Sequence, residues 1–249
     1  MTGLRKMFTS ALDLAMPPLC PVTNEEVSSY GALGADAWSA VHFIDDPFCN
    51  RCGVPFAAEY GAEVECPSCI ASPPVFDRAR AALVYDDASH GVIIGFKHGD
   101  RTELAEMLGG WMARAGAALV TQSSLVTPIP LHRRRLRSRR FNQSVLLARE
   151  IARRLDARLS IDDLVRRRET QPQKELSAEA RRRNVSGAFA MRNDAARARI
   201  AGAHVVLIDD VLTTGATLSA AARALKRAGA AQVDALVLAR VVRGGIGAI

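Results

Sequence analysis

The chain has 249 residues, 49% apolar and 24% charged. That balance excludes wholesale disorder and suits one ordinary domain with a small satellite. No stretch of about 18 apolar residues occurs, so a membrane-spanning helix is excluded too. The formal charge of +7 is unevenly distributed: residues 1–70 sum to −6, the remainder to +13, and residues 131–155 hold nine arginines against one acid. Such a basic segment calls for an anionic partner, either phosphorylated small molecules or a nucleic-acid backbone.

The first segment, Met1 to Cys20, imitates a signal peptide, but Asp13 interrupts its apolar run and no small-x-small cleavage site follows. Leu4, Phe8, Ala11, Leu12 and Ala15 share one face at helical spacing, predicting a short amphipathic helix stopped by Pro17-Pro18 and a cytoplasmic protein without membrane insertion.

All five cysteines lie in the first 69 residues. Cys49-x2-Cys52 and Cys66-x2-Cys69 stand thirteen residues apart, two knuckles able to set four thiolates around one zinc. The alternatives are disulfides, disfavoured in a reducing compartment, and a redox pair, for which the second pair is superfluous. Four protein ligands leave no open coordination position, so the zinc is expected to be structural and to supply much of the module's folding energy. Cys20-Pro-Val-Thr23 has the outline of a further knuckle whose second cysteine is Thr23, but no other cysteine before Cys49 completes it. Cys20 is therefore not assigned as a ligand.

Pro73-Pro74 marks the expected boundary between residues 1–72, the helix and zinc module, and residues 73–249, the main domain. A strand is expected over Ala79–Tyr85, helices over Ser89–Lys97 and Thr102–Leu119, a strand over Leu125–Ile129 and a helix over Phe141–Leu155. Residues 166–187 read as a mobile excursion or short helix. The clearest elements come last: a strand Val205–Ile208, a loop from Asp209 to Ala216, a helix Thr217–Ala228 closed by Gly229, and a strand Val233–Ala239. This βαβ unit predicts a parallel sheet flanked by helices. No internal repeat is evident.

The loop after Val205–Ile208 lies where open α/β sheets bind ligands. Thr213, Thr214, Gly215, Ala216 and Thr217 offer backbone N–H groups, hydroxyls and a helix N-terminus to a phosphate. Asp209 and Asp210 just before them would repel a bare phosphate. They suit a ligand with a phosphate at one end and vicinal hydroxyls, with Mg2+, nearby, the shape of a ribose 5-phosphate. Neither G-x-x-x-x-G-K-[ST] nor a strand followed by G-x-G-x-x-G occurs.

The run VVLIDDVLTTGATL, Val205–Leu218, resembles the phosphoribosyl pyrophosphate (PRPP) signature of type I phosphoribosyltransferases. Together with the CxxC pairs, Phe96-Lys97-His98-Gly99-Asp100, Pro128-Ile129-Pro130-Leu131-His132, Phe141-Asn142-Gln143 and Arg183-Asn184-Val185-x-Gly187-Ala188-Phe189, it resembles the ComF family (also ComFC), over about residues 16–240. The resemblance implies an α/β type I phosphoribosyltransferase-like sheet behind a four-cysteine zinc ribbon. It implies that Asp209 and Asp210 hold the ribose hydroxyls, the second through Mg2+, and that Thr213–Thr217 hold the 5-phosphate. Pro130, Arg133 and Arg134 would attend the leaving pyrophosphate, residues 170–185 would be a hood, and Lys97 is a further basic candidate. It also implies a role in natural transformation, with single-stranded DNA along residues 131–155 and a competence helicase or recombination mediator as partners. Two functions follow: a Mg-dependent phosphoribosyltransferase of unknown acceptor, or a non-catalytic binding and docking protein on the same fold. Many ComF proteins carry doubled zinc knuckles; with only Cys20 kept of the first set, one zinc is expected. Arg139-Arg140-Phe141 replaces the family's Arg-Gly-Phe, which alters the loop before the helix.

Overall fold

The computed structural model describes residues 17–61, 63–98, 101–139, 141–170 and 177–242. The expected helix at Met1–Cys20 falls almost wholly outside them, as does the middle of the 166–187 excursion. Strands β1 (Ala79–Val84), β2 (Leu125–Pro128), β3 (Arg158–Leu159), β6 (His204–Leu212) and β7 (Gln232–Arg240) form one parallel sheet in the order β1-β7-β6-β2-β3. A separate antiparallel pair joins β4 (Leu164–Arg166) to β5 (Phe189–Met191). The helices are α1 (Ala35–Ala40), α2 (Pro67–Ala71), α3 (Asp87–His98), α4 (Leu104–Gly116), α5 (Arg133–Arg139), α6 (Gln143–Arg154), α7 (Ala178–Val185), α8 (Asp194–Ile200) and α9 (Ala216–Arg227).

Both faces of the sheet are buried, which is why its central strands read as continuous apolar runs. On one face Val206, Ile208, Leu236 and Leu238 meet Phe96 of α3, Leu108 and Met112 of α4, and Leu147 and Ile151 of α6. On the other, Val205, Leu207, Ala235 and Val237 meet Leu218, Ala222 and Leu225 of α9 and Ile200 of α8. The small residues Ala221, Ala222 and Ala224 bring α9 close to the sheet and face the apolar side that Leu218 and Leu225 complete. Residues 42–44 add a short antiparallel piece to the outer edge of β1, through Val84 N–H to His42 O and Ile44 N–H to Ala82 O. The N-terminal module thereby covers an edge that would otherwise template association.

The strand expected over Val205–Ile208 continues to Leu212, because Asp209, Val211 and Leu212 stay in register with Val237, Ala239 and Arg240. The two aspartates thus sit on a strand rather than in a loop. The loop itself shrinks to Thr213–Gly215.

One charged residue is wholly buried in the sheet. Asp234 of β7 accepts hydrogen bonds from Arg78 N–H and Nη2 (3.0 and 2.9 Å) and Gln232 Nε2 (2.8 Å), with His204 Nε2 at 3.0 Å. Burial pushes its carboxyl upward, but the bonds from His204 and Arg78 outweigh that and hold it below the ordinary carboxylate value. Asp234→Ala leaves Arg78 and His204 without their counterion and is expected to cost about 3–5 kcal/mol. A denaturant midpoint equal to wild type would overturn that role.

Candidate functional site

Four elements converge at the carboxyl ends of β2 and β6. Asp209 Oδ1 accepts from Ser144 Oγ at the start of α6 (3.3 Å) and from the Asp210 N–H (3.0 Å). Asp210 Oδ2 pairs with Lys97 Nζ of α3 at 3.1 Å. Lys97, its side chain only 17% exposed, is thereby held against the aspartates. Its backbone is held in turn by Gln143 Nε2, which donates to Lys97 O at 2.8 Å. Burial first, and then the negative charge of Asp210, pushes the Asp209 carboxyl up to about 7. Lys97, Ser144 and the Asp210 N–H pull the other way without prevailing.

Beyond Leu212 the chain turns through Gly215, whose φ of 71° lies in the left-handed region that only glycine enters cheaply. The ring of Phe76 lies beneath it, within 3.4 Å of where a Cβ would stand. The N-cap position of α9 is Gly215 itself, so no N-cap side chain accepts from the first turn of the helix. Thr214 Oγ1 is buried with no hydrogen-bond partner. Thr213 is exposed, and Ala216 begins the helix. A loop so furnished can receive a phosphate, and the adjacent carboxylates can hold hydroxyls or a hydrated divalent cation.

On the other side of the aspartates, Pro130 and Arg133 line a cleft of about 1080 Å3. Ile129 N–H bonds Ile208 O (2.8 Å), and Asn142 Nδ2 donates to Ile129 O (3.0 Å), which ties this turn to β6. Arg134 does not line this cleft and pairs with Glu169 at 3.0 Å. The cleft also holds Arg166, a residue the sequence did not single out. Its Nε is buried without a partner, its guanidinium lies over the Phe189 ring, and it is within electrostatic reach of Asp209. His132 Nδ1, in the same cleft, is likewise buried and unpaired. Ser144 and Arg166 were missed because they belong to no local motif.

Cys49, Cys52, Cys66 and Cys69 present sulfurs that all lie within 4.8 Å of one another, and all four residues are buried. Tetrahedral zinc at about 2.3 Å from each sulfur requires S···S separations near about 3.8 Å; Cys52 and Cys66 stand 3.7 Å apart. Backbone N–H groups of Cys52 and Cys66 point at Cys49 Sγ (3.4 and 3.2 Å), as they do at metal-bound thiolates. Without a cation the thiols resist ionising together: the Cys52 hydrogen bond draws Cys49 down to about 4, while burial pushes Cys69 up to about 12. The donor set fits a structural zinc site. It is joined to the sheet by Arg240, whose guanidinium donates to Cys52 O (2.7 Å) and Cys52 Sγ (3.2 Å).

The backbone around Cys20 repeats that of Cys49, although in sequence only the outline Cys20-x2-Thr23 hints at it. Cys20 N–H to Glu25 O and Asn24 N–H to Cys20 O match Cys49 N–H to Val54 O and Gly53 N–H to Cys49 O. Asn24 (φ 59°) takes the left-handed place of Gly53 (φ 67°), and the bridge Leu19–Glu26 matches Phe48–Pro55. Gly34 precedes α1 as Cys66 precedes α2, so Thr23, Gly34 and Ala37 stand where the second, third and fourth ligands would be. The Thr23 hydroxyl instead donates to Glu25 Oε2 at 3.0 Å. One donor of four does not hold zinc. Restoring the rest with Thr23→Cys/Gly34→Cys/Ala37→Cys is expected to raise bound zinc from one ion per chain to two by elemental analysis. An unchanged content would refute the correspondence.

A phosphoribosyl transferase domain family matches residues 142–245, and a double zinc ribbon domain family matches residues 11–70. The chain is 32% identical over 204 residues to DNA utilization protein YhgH of Escherichia coli strain K12, covering 80% of this chain and 86% of that one. It is 32% identical to Competence protein F of Haemophilus influenzae, covering 78% and 85%. Against Competence protein ComFC of Bacillus subtilis the identity is 31%, covering 65% and 63%. A zinc ribbon packed against a helix-flanked parallel sheet, with these relatives across most of its length, makes the chain a member of the ComF family.

Proposed function

We propose that this chain binds PRPP with Mg2+ and transfers the phosphoribosyl group to an acceptor. The observation that carries the reading is the meeting of Asp209 and Asp210 with an uncapped, glycine-turned helix N-terminus at the end of a central strand. In this reading Thr213–Thr217 take the 5-phosphate and Asp209 and Asp210 take the ribose hydroxyls and the hydrated Mg2+. Mg2+, when bound, neutralises charge on the diphosphate. Pro130 and Arg133 attend the pyrophosphate, and Arg166 adds a buried positive charge that the sequence had not suggested. The C1–O bond breaks with its electron pair leaving on pyrophosphate. The acceptor supplies the new bond's pair and gives up its proton to solvent. Positioning and fixed positive charge do the work, so no general base is needed. We divide the chain at residues 72 and 73, and we read its reduced cysteines as those of a cytoplasmic protein.

Calorimetric titration of zinc-replete protein with PRPP and Mg2+ tests the site, followed by pyrophosphate release with candidate acceptors. No saturable heat at millimolar PRPP would end the reading.

A second reading keeps the ligand site without turnover and adds single-stranded DNA along residues 131–155. It is favoured by the larger cleft, lined by Arg133, Arg149, Arg166, Arg167 and Arg192 together with Phe141, with Asp162 pairing Arg192 at 3.0 Å. The relatives' names, DNA utilization protein and Competence protein F, point the same way, and a competence helicase or recombination mediator is the partner proposed in this reading. Binding of this kind should weaken steeply with salt.

A further inference from the structure

A second basic cleft, of about 540 Å3, opens beside the phosphate loop at Thr214 and Ala216 and shares no lining residue with the first. It starts at Thr214, runs along the outer side of α9, and is closed by Pro73 and Pro74 of the ribbon exit and by α7. Arg182 and Arg183 of α7 and Arg223 and Arg227 of α9 line it, and no carboxylate does among the described residues. Arg183 also reaches Glu179 one helical turn back.

The length of this row is informative. Arg223 and Arg227 lie seven and eleven residues beyond Ala216, so about 10 and 16 Å along the helix. A phosphate seated on the first N–H groups of α9 is out of their reach. The buried and unpartnered Thr214 Oγ1 marks the junction between loop and cleft. Of the four guanidinium groups only Arg183 has an acidic partner among the described residues, Glu179, and the like charges of the row gain from bound anions.

We propose that this cleft binds a second phosphate group, attached through the 5-phosphate of the phosphoribosyl unit on the loop. The proposal rests on the phosphoribosyl reading and extends it: the ligand continues past its 5-phosphate, as a dinucleotide pyrophosphate or as a nucleic-acid strand. Arginine suits either, because its fork pairs with two phosphate oxygens at once.

The test compares ribose 5-phosphate, ADP-ribose and a short single-stranded oligonucleotide, each with Mg2+, by calorimetry or fluorescence anisotropy. Wild type is expected to bind at least one extended ligand more tightly than ribose 5-phosphate. Arg223→Gln/Arg227→Gln should weaken that ligand about tenfold or more while leaving ribose 5-phosphate within about twofold, given the strength of charge-assisted hydrogen bonds. Whichever extended ligand responds identifies the source. Arg114→Gln/Arg158→Gln, on α4 and at the β3 edge and outside both clefts, removes equal charge and should change neither. The proposal is overturned if extension adds no affinity, or if the two double variants weaken the extended ligand alike. Failure of wild type to bind ribose 5-phosphate or PRPP at all would instead sink the phosphoribosyl reading beneath it.

Discussion

Replacing Arg240 with methionine is expected to weaken zinc retention about 10–100-fold, the usual effect of losing a hydrogen-bond partner of a metal ligand. Four thiolates around one Zn2+ carry a net charge of −2, and the Arg240 guanidinium is the positive group that touches them, at Cys52 Sγ. Arg240 is also the residue in register with Leu212, and the Val241 N–H bonds Leu212 O at 3.0 Å. Leu212 is the last residue before the phosphate loop. Val242 then packs against the cysteine cluster. The metal site and the loop are therefore two ends of one short run of β7.

Two outcomes separate this link from general damage. Arg240→Lys keeps the charge but loses the fork to Cys52 O and Sγ, so its zinc retention in a chelator titration should fall between wild type and Arg240→Met. Cys52→Ser should release the zinc and unfold the ribbon, since so small a module buries too little apolar surface to stand alone. The sheet should survive, because its two clusters are built mainly from main-domain residues such as Phe96, Leu108, Leu147, Leu218 and Leu225, with Val41 and Ile44 the N-terminal module's buried share. The region to loosen first is Leu212–Gly215, read as faster amide exchange there than in α6. Equal protection of the loop with and without zinc would remove the link.

How much of this was legible in sequence depends on whether the relevant contact is local. Cys-x2-Cys pairs, the Val205–Ile208 run and the loop before α9 are contiguous, and their chemistry follows from spacing. β6 overran its expected end because pairing with β7, about thirty residues away in the chain, decides where a strand stops. Helix α5 was hidden because seven residues rich in arginine lack the apolar period that marks a packed helix. Helix α8 had a readable start, Asn193 accepting from the Ala196 N–H, but is only seven residues long. The repeat around Cys20 was half visible in Cys20-x2-Thr23. It needed the backbone, since Gly34 and Ala37 retain nothing of a cysteine but its place. Ser144 reaches Asp209 from α6 and Arg166 of β4 acts on it only through its charge, and no spacing rule joins residues that far apart.

Asp209→Asn/Asp210→Asn should abolish PRPP binding, and the first of these substitutions alone should raise the stability of the unliganded protein at pH 8. The two effects share one cause. Asp209 titrates near 7 in the folded chain against an ordinary value of 3.8, so between those limits the folded state binds more protons than the unfolded one. Stability from this group therefore falls as pH rises through that window and levels off above it. The shift corresponds to an upper bound of about 4 kcal/mol. Asp209 is half-buried, however, and solvent screening leaves a cost nearer about 1–2 kcal/mol. Asparagine keeps the acceptor that Ser144 and the Asp210 N–H use, and removes only the charge. The Asp209→Asn single variant should thus melt about 2–6 °C higher at pH 8, with the gain vanishing towards pH 4, where wild-type Asp209 is already neutral. Asp210 is offset by Lys97, so Asp210→Asn alone leaves that ammonium unpaired and should not stabilise. Two adjacent carboxylates, one of them held well above its ordinary value, form the pattern expected of a binding centre kept against the interest of the fold. If Asp209→Asn binds PRPP as wild type does, the carboxylates are structural; if it binds nothing yet melts no higher, the charge was never held at a cost.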